Sequence, residues 1–222
     1  MAAEMPLNDA RDARAAATVR AAGDGRSGRV LRHAGIDRLF HWLTAATMFV
    51  LLGTSLLPVV GIRFAWVEIH WIAGLVLTIA ILFHMVRAIF VQSLRLITPH
   101  AKDLGELTGD RRPGKYSFPQ KLMHLAFSLA LVTAIVTGIL LMIKAGTPLF
   151  ERDPYRFSLK TWGALTVLHD LSAFGSLFLV ILHVYFSLRP EKAMYLRAML
   201  NGYMTREELR RHHDPDKVQR GE

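Results

Sequence analysis

Residues 165–188 read LTVLHDLSAFGSLFLVILHVYFSL, a run with one charged side chain, Asp170, and two histidines, His169 and His183. About 20 consecutive apolar residues let an α-helix cross a bilayer. Three more segments have the same character: residues 40–62, 69–86 and 122–143. In a chain of 222 residues, four such segments predict an all-α integral membrane protein, a bundle of four transmembrane helices. They exclude an ordinary soluble fold, a disordered chain and a coiled coil.

The composition narrows the possible partners and cofactors. The net charge is +9, and 52% of the residues are hydrophobic. Because the basic residues flank the apolar segments, we expect them to contact the lipid bilayer and not a nucleic acid. The chain has no cysteine, which excludes disulfides, iron–sulfur clusters, zinc–thiolate sites and thiol nucleophiles. Any redox centre must therefore use other ligands.

The distribution of Lys and Arg predicts the topology. Of the 27 basic residues, 22 lie before the first apolar segment, between the second and third, or after the fourth. Loops rich in Lys and Arg stay in the cytoplasm, so both termini are predicted to be cytoplasmic. The first 30 residues lack the apolar core of a signal peptide. We therefore predict a mobile N-terminal tail (1–32), a transmembrane domain (33–190) and a cytoplasmic C-terminal tail (191–222).

Six of the ten histidines lie within the apolar segments or at their ends: His41, His70, His84, His124, His169 and His183. An ionisable residue inside a membrane span is costly and usually marks a functional site. The other four lie in polar segments, where solvation accounts for them: His33, His100, His212 and His213.

Depth in the membrane pairs four of these histidines. His183 follows His169 by 14 residues, roughly 21 Å along a helix and on the same face. His70 and His169 are predicted near the outer surface, and His41 and His183 near the cytoplasmic surface. Two stacked pairs of imidazoles match two b-type haems, since bis-histidine ligation favours electron transfer. His84 also follows His70 by 14 residues, so spacing alone leaves open whether His41 or His84 pairs with His183.

Several motifs resemble a known family. They are GIDRLFHW at 35–42, EIHWIAG at 68–74, GKYSFPQK at 114–121, VTG at 136–138 and RRHHDP at 210–215. Together with the His169 and His183 spacing, they resemble the gamma (cytochrome b) subunit of membrane-bound respiratory formate dehydrogenase.

The resemblance implies a ligand set. Two haem b groups would be bound by the pairs His70/His169 and His41/His183, and His84 would not be a ligand. Arg38 lies three residues before His41 and shares its helical face, so it is a candidate partner for a haem propionate.

The resemblance also implies a role in the bacterial inner membrane. Formate would be oxidised on a molybdenum or tungsten alpha subunit. Electrons would pass through an iron–sulfur beta subunit and the two haems to a quinone, either menaquinone or ubiquinone. The gamma subunit itself would have no dehydrogenase site. The heterotrimer could form a higher oligomer.

By the same resemblance, the quinone pocket would be lined by residues 114–121. Its polar groups would be Lys115, Tyr116, Ser117 and Gln120, together with His183. This chain has Ser117 followed by Phe118 and Pro119, where the family has Asn followed by Ala-Gly. The segment also fits a helix N-terminus with Ser117 as the cap and Gln120 at the third position. The two roles are compatible.

Two other hypotheses remain open from the sequence. The chain could be a dihaem cytochrome b that acts alone, or one that serves another molybdoenzyme or a hydrogenase. It could also be a haem-free membrane anchor. A visible spectrum separates the anchor from the cytochromes.

Overall fold

Four long helices dominate the computed structural model, which describes residues 28–91, 94–109, 111–214 and 217–218. The helices are α1 (Gly35–Val59), α2 (Trp66–Phe90), α3 (Phe118–Ala145) and α4 (Leu159–Leu188). Each is long and apolar enough to cross a membrane. The prediction of four helices with the length and composition of membrane spans is confirmed. Each helix begins three to six residues before its apolar segment, because polar first-turn residues such as Asp37 are also helical.

The remaining elements are short. They comprise strand β1 (Arg29–Leu31), three 3₁₀ turns (Leu94–Leu96, Ala101–Glu106 and Pro190–Lys192), helix α5 (Ala193–Asn201), strand β2 (Tyr203–Thr205) and helix α6 (Arg206–His212). The two strands pair antiparallel, with Val30 opposite Met204. The all-α prediction did not include this small sheet.

A left-handed glycine joins α5 to β2. Gly202 has φ 94°, and its N–H donates to Ala198 O at 2.8 Å. A Cβ at this position would lie 3.0 Å from His33 O. Both the backbone angle and the close approach therefore require glycine here.

The predicted N-terminal tail has an ordered end. Residues 1–27 lie outside the described residues, whereas 29–31 form strand β1. The Arg32 side chain that follows is buried. The described structure thus includes residues that the sequence analysis assigned to the tail, and the predicted mobility of residues 1–27 lies outside the described residues.

The chain divides into two compact units. The mid-helix unit comprises His41–Leu82 and Ala126–His183. The terminal unit comprises the described parts of Met1–Phe40, Phe83–Leu125 and Val184–Glu222.

The core of the mid-helix unit draws on all four helices. Met48, Leu77 and Leu131 form a buried cluster, against which Leu51, Ile81 and Val180 pack. Most other apolar side chains of the helices are exposed, for example Leu129 and Phe178. Large exposed apolar surfaces are rare on soluble monomers, and here they suit contact with lipid.

In the terminal unit, polar contacts hold the start of α3. Lys121 Nζ lies 2.8 Å from Asp103 Oδ2, and both side chains are buried. The backbone N–H of Phe118 donates to Glu106 Oε2 at 2.7 Å. A carboxylate at a helix N-terminus satisfies a free N–H and interacts favourably with the helix dipole.

Candidate functional site

Two histidine pairs lie in the mid-helix unit. The ring centroids of His41 and His183 are 6.1 Å apart, and those of His70 and His169 are 6.2 Å apart. An imidazole nitrogen binds a transition metal at about 2.0 Å, so two rings on opposite sides of one metal ion have centroids roughly 6 Å apart. Both pairs fit ligation of one metal ion between two imidazoles.

Spacing along the sequence did not decide whether His41 or His84 faces His183. The structure brings His41 next to His183, whereas His84 faces His124, with ring centroids 6.3 Å apart. His84 and His124 belong to the terminal unit and form a third pair, which the sequence did not suggest. That the first two pairs bind haem iron stays a prediction.

Two threonines set the orientation of the His70/His169 pair. Thr54 Oγ1 lies 2.8 Å from His70 Nδ1, and Thr137 Oγ1 lies 2.9 Å from His169 Nδ1. Each threonine also donates its hydroxyl hydrogen to the carbonyl four residues earlier, Val50 O at 2.8 Å and Thr133 O at 2.6 Å.

These contacts determine the tautomer of both rings. A hydroxyl group has one hydrogen, so each threonine oxygen must accept from the imidazole. Nδ1 is therefore protonated in His70 and His169, and the Nε2 lone pair remains for a metal. This is the arrangement of metal-binding histidines whose second nitrogen is held by a neighbouring group.

His41 differs in its polar contacts. Its Nδ1 is buried and has no hydrogen-bond partner among the described residues. One aromatic ring lies edge-on to each histidine of this pair. The ring centroids of Trp42 and His41 are 5.0 Å apart, and those of Phe127 and His183 are 6.1 Å apart. A buried imidazole nitrogen without a partner is costly, which fits a ring whose purpose is to bind a prosthetic group.

The absence of a side chain at Gly138 leaves space for the His169 ring. A Cβ at Gly138 would lie 3.1 Å from His169 Cε1, closer than ordinary van der Waals contact. A side chain there would displace the ring from its position opposite His70. The sequence motif at 136–138 thus contains both Thr137, which orients the ring, and the glycine that makes space for it.

Arg38, the candidate propionate partner, lies in the terminal unit. Its Nη1 donates to the carbonyl of Leu200 at 2.6 Å, and its Nε is buried with no partner among the described residues. Gly202 packs closely against the guanidinium. Arg38 thus ties α1 to the end of α5, and its contact with a propionate stays a prediction.

The predicted quinone segment also lies in the terminal unit, whereas His183 belongs to the mid-helix unit. The backbone N–H of Ser117 donates to Gln120 Oε1 at 2.9 Å, so Gln120 caps the start of α3. The Tyr116 ring lies 5.5 Å from Lys115 Nζ, and Lys115 O accepts from Arg32 Nη2 at 2.7 Å. The segment is held in place by these contacts. Its binding of quinone stays a prediction.

A buried histidine holds this segment from the other side, and here the sequence interpretation was wrong. His213 was attributed to solvated surface, but its side chain is fully buried. Its Nδ1 donates to Gly114 O at 2.6 Å. Its Nε2 accepts from Tyr195 Oη at 3.0 Å and lies 3.3 Å from Arg32 Nη1. Burial, reinforced by the Arg32 charge, lowers the pKa of His213 to about 4, so the ring is neutral at pH 7. His33 was likewise attributed to surface and is buried.

Comparison with known proteins identifies the family of this chain. The cytochrome b556(fdo) subunit of formate dehydrogenase from Escherichia coli K12 is 23% identical over 210 residues, which cover 85% of this chain and 92% of the relative. The cytochrome b556 subunit of formate dehydrogenase from Haemophilus influenzae is 25% identical over 207 residues, covering 83% and 81%. The family profile described as prokaryotic cytochrome b561 matches residues 32–202. This match spans most of the chain and all four long helices, and the chain therefore belongs to the prokaryotic cytochrome b561 family.

Proposed function

We propose that this chain is the dihaem cytochrome b subunit of a membrane-bound formate dehydrogenase and delivers electrons to membrane quinone. A chain with four apolar helices in a prokaryotic cytochrome b family is a multi-pass inner-membrane protein with haem b. The observation that carries the finer proposal is the presence of two histidine pairs with ring centroids 6.1 and 6.2 Å apart.

Each pair would hold one haem. When bound, a bis-histidine haem accepts and releases single electrons without binding a substrate at the iron. Thr54 and Thr137 fix the tautomers of His70 and His169, so that Nε2 of each ring is the available ligand. An aromatic ring lies beside each of His41 and His183, and apolar groups close to a ligand help to set the redox properties of a bound group.

The relatives support the assignment of the complex. Both are named as cytochrome subunits of formate dehydrogenase, and the chain covers 92% and 81% of their length. We infer that this chain docks an iron–sulfur subunit and, through it, a molybdenum or tungsten subunit that oxidises formate. We assign no formate site to this chain.

The quinone and the orientation complete the proposal. The excess of basic residues on one side supports cytoplasmic termini. We place the quinone at that side, against Lys115, Tyr116, Ser117 and Gln120. An apolar slot with a few polar groups suits such a ligand, and Phe118 supplies an apolar ring in the same segment.

Haem content tests the central part of the proposal. The purified chain should contain two non-covalent haems by pyridine haemochrome assay, since no cysteine is present for covalent attachment. His70→Ala, His169→Ala and His41→Ala should each retain one haem. The matched control is His84→Ala, which should retain both. A haem-free chain would support a membrane anchor, and loss of haem in His84→Ala with two haems in His41→Ala would reverse the pairing.

Electron donors and topology test the rest. Haem in membranes that hold the intact complex should be reduced by formate. If the haem is reduced by hydrogen or by the substrate of another molybdoenzyme and not by formate, the chain belongs to that other complex. Reporter fusions at both termini should be active only with cytoplasmic reporters. An active periplasmic reporter at the C-terminus would contradict the predicted topology.

A further inference from the structure

The third histidine pair has no role in haem binding as proposed above. His84 on α2 and His124 on α3 face each other, with ring centroids 6.3 Å apart and planes at 54°. Both rings are half-buried within helices that cross the membrane. Two imidazoles at one depth on neighbouring helices are costly in such a place, which indicates a function.

The His84 ring is held in a fixed plane. Phe40 of α1 stacks on it with centroids 4.3 Å apart and an angle of 11°. Stacking covers one face of the imidazole, whereas both ring nitrogens lie at its edge. The edge is where an imidazole accepts and donates protons.

An ion pair lies near this ring, at the polar end of the helices. Arg87 Nη2 lies 2.7 Å from Asp37 Oδ1, and the two side chains are 19% and 29% exposed. Arg87 follows His84 by three residues and so shares its helical face. Asp37, Arg87 and His124 are the charged or titratable groups that interact electrostatically with His84. A partly solvated carboxylate near the polar end of the helices, His84 and His124 thus lie in series.

His124, the last member of this series, lies close along α3 to the proposed quinone segment. His124 follows Gln120 by four residues and Lys121 by three on α3, so the three side chains share one helical face. Within the terminal unit, one group that we assign to quinone binding, Gln120, and one member of the third histidine pair, His124, therefore lie on the same side of α3.

We propose that His84 and His124 form a proton-transfer pair that supplies the protons consumed in quinone reduction. The inference rests on the proposed function. Reduction of a quinone to a quinol takes two electrons, which the complex supplies, and two protons, which come from water on the side of Asp37. A neutral imidazole accepts a proton at one nitrogen and gives one up at the other. Since two adjacent cationic rings repel each other strongly, the pair carries one proton at a time.

The test separates electron transfer from proton transfer. The haem of the purified full chain is reduced with one equivalent of dithionite and then oxidised by either decylubiquinone or ferricyanide. Quinone consumes protons on reduction, whereas ferricyanide takes electrons alone. His84→Gln and His124→Gln keep polar side chains but cannot relay protons. His212→Gln changes an exposed histidine and is the matched control.

We expect both relay variants to keep two haems and normal oxidation by ferricyanide. Their oxidation by quinone should slow by about 10-fold or more, with a deficit that grows as pH rises and is partly restored by added imidazole. The control should behave as the unaltered protein does. Unchanged quinone kinetics in fully haem-loaded variants, or loss of haem from them, would overturn the proposal. If the unaltered chain contains no haem, both the proposed function and this inference are wrong. The haem assay is done first, so this outcome is known before any variant is compared.

Discussion

Thr54 Oγ1 accepts a hydrogen bond from His70 Nδ1 at 2.8 Å while it donates its own hydrogen to the carbonyl of Val50. Thr137 repeats this relation with His169. Each threonine is buried and has its single hydrogen already committed. His70 and His169 are therefore held in the same tautomer by the same arrangement of hydrogen bonds, from a threonine on α1 and a threonine on α3.

Removal of these hydroxyl groups should weaken haem binding at this pair. The double variant Thr54→Val and Thr137→Val keeps the side-chain shape but leaves Nδ1 of both rings without the hydroxyl acceptor. Loss of such outer contacts typically costs 10- to 100-fold in metal affinity. We expect one haem to be lost on dilution or mild heating while the other stays, as measured by the reduced-minus-oxidised spectrum.

The control for the threonine variants is Thr78→Val. Thr78 donates to Gly74 O at 2.7 Å within α2, in the same way as the other two, but it hydrogen-bonds no histidine among the described residues. Equal haem loss in this control would mean that the effect comes from the helix backbone and not from the imidazoles.

Gly138→Ala should disturb the same pair by a steric route. The added Cβ would lie 3.1 Å from His169 Cε1, so the ring must rotate or shift. We expect a reduced haem content or a haem with altered axial ligation, visible in the Soret band. Gly163→Ala on α4 is the control, because its Cβ would meet no atom within 4 Å. Alanine there should stabilise the helix by roughly 0.5–1 kcal/mol.

The quinone segment can be tested apart from its capping role. Gln120→Glu retains an acceptor for the Ser117 N–H and so preserves the cap, but it adds a negative charge. We expect slower quinone reduction with normal haem content and normal thermal stability. Ser117→Phe should slow quinone reduction by placing a bulky ring where we propose that the quinone binds. Normal quinone kinetics in both fully haem-loaded variants would place the quinone elsewhere in the chain.

The buried His213 predicts a loss of stability in acid. Its pKa is about 4 in the folded chain, below the 6.5 of a free imidazole, so the unfolded chain binds the extra proton first. The neutral ring's contribution to the free energy of unfolding is complete above pH 6.5. It is lost as the pH falls toward 4, and the loss amounts to at most roughly 3 kcal/mol. Thermal unfolding across this range should show the decline.

The variant His213→Gln checks the assignment. It should be less stable at pH 7.5, because the buried hydrogen bonds to Gly114 O and Tyr195 are lost or distorted. Its stability should then change less between pH 6.5 and 4 than that of the unaltered chain. An unchanged acid dependence would assign the titration to another group.

The four long helices and the pairing of His70 with His169 followed from local sequence properties, whereas spacing alone left the partner of His183 open between His41 and His84. Apolar length predicted the four helices, and a spacing of 14 residues placed His169 and His183 on one face. Contacts between distant segments could not be predicted in this way. The burial of His213 depends on Gly114, 99 residues earlier, and on Arg32. The pairing of His84 with His124 depends on which helices are neighbours, for which spacing along one helix gives no signal.

The two-stranded sheet has a consequence for how the protein is made. The ribosome produces β1 before any of the four helices and β2 after all of them, yet the two strands pair residue for residue. A nascent chain that stops after α4 would keep β1 as an open strand edge, which is prone to wrong pairing. Closure of the sheet thus waits until membrane insertion is complete, and proteases or chaperones that recognise exposed strands would distinguish a finished chain from an arrested one.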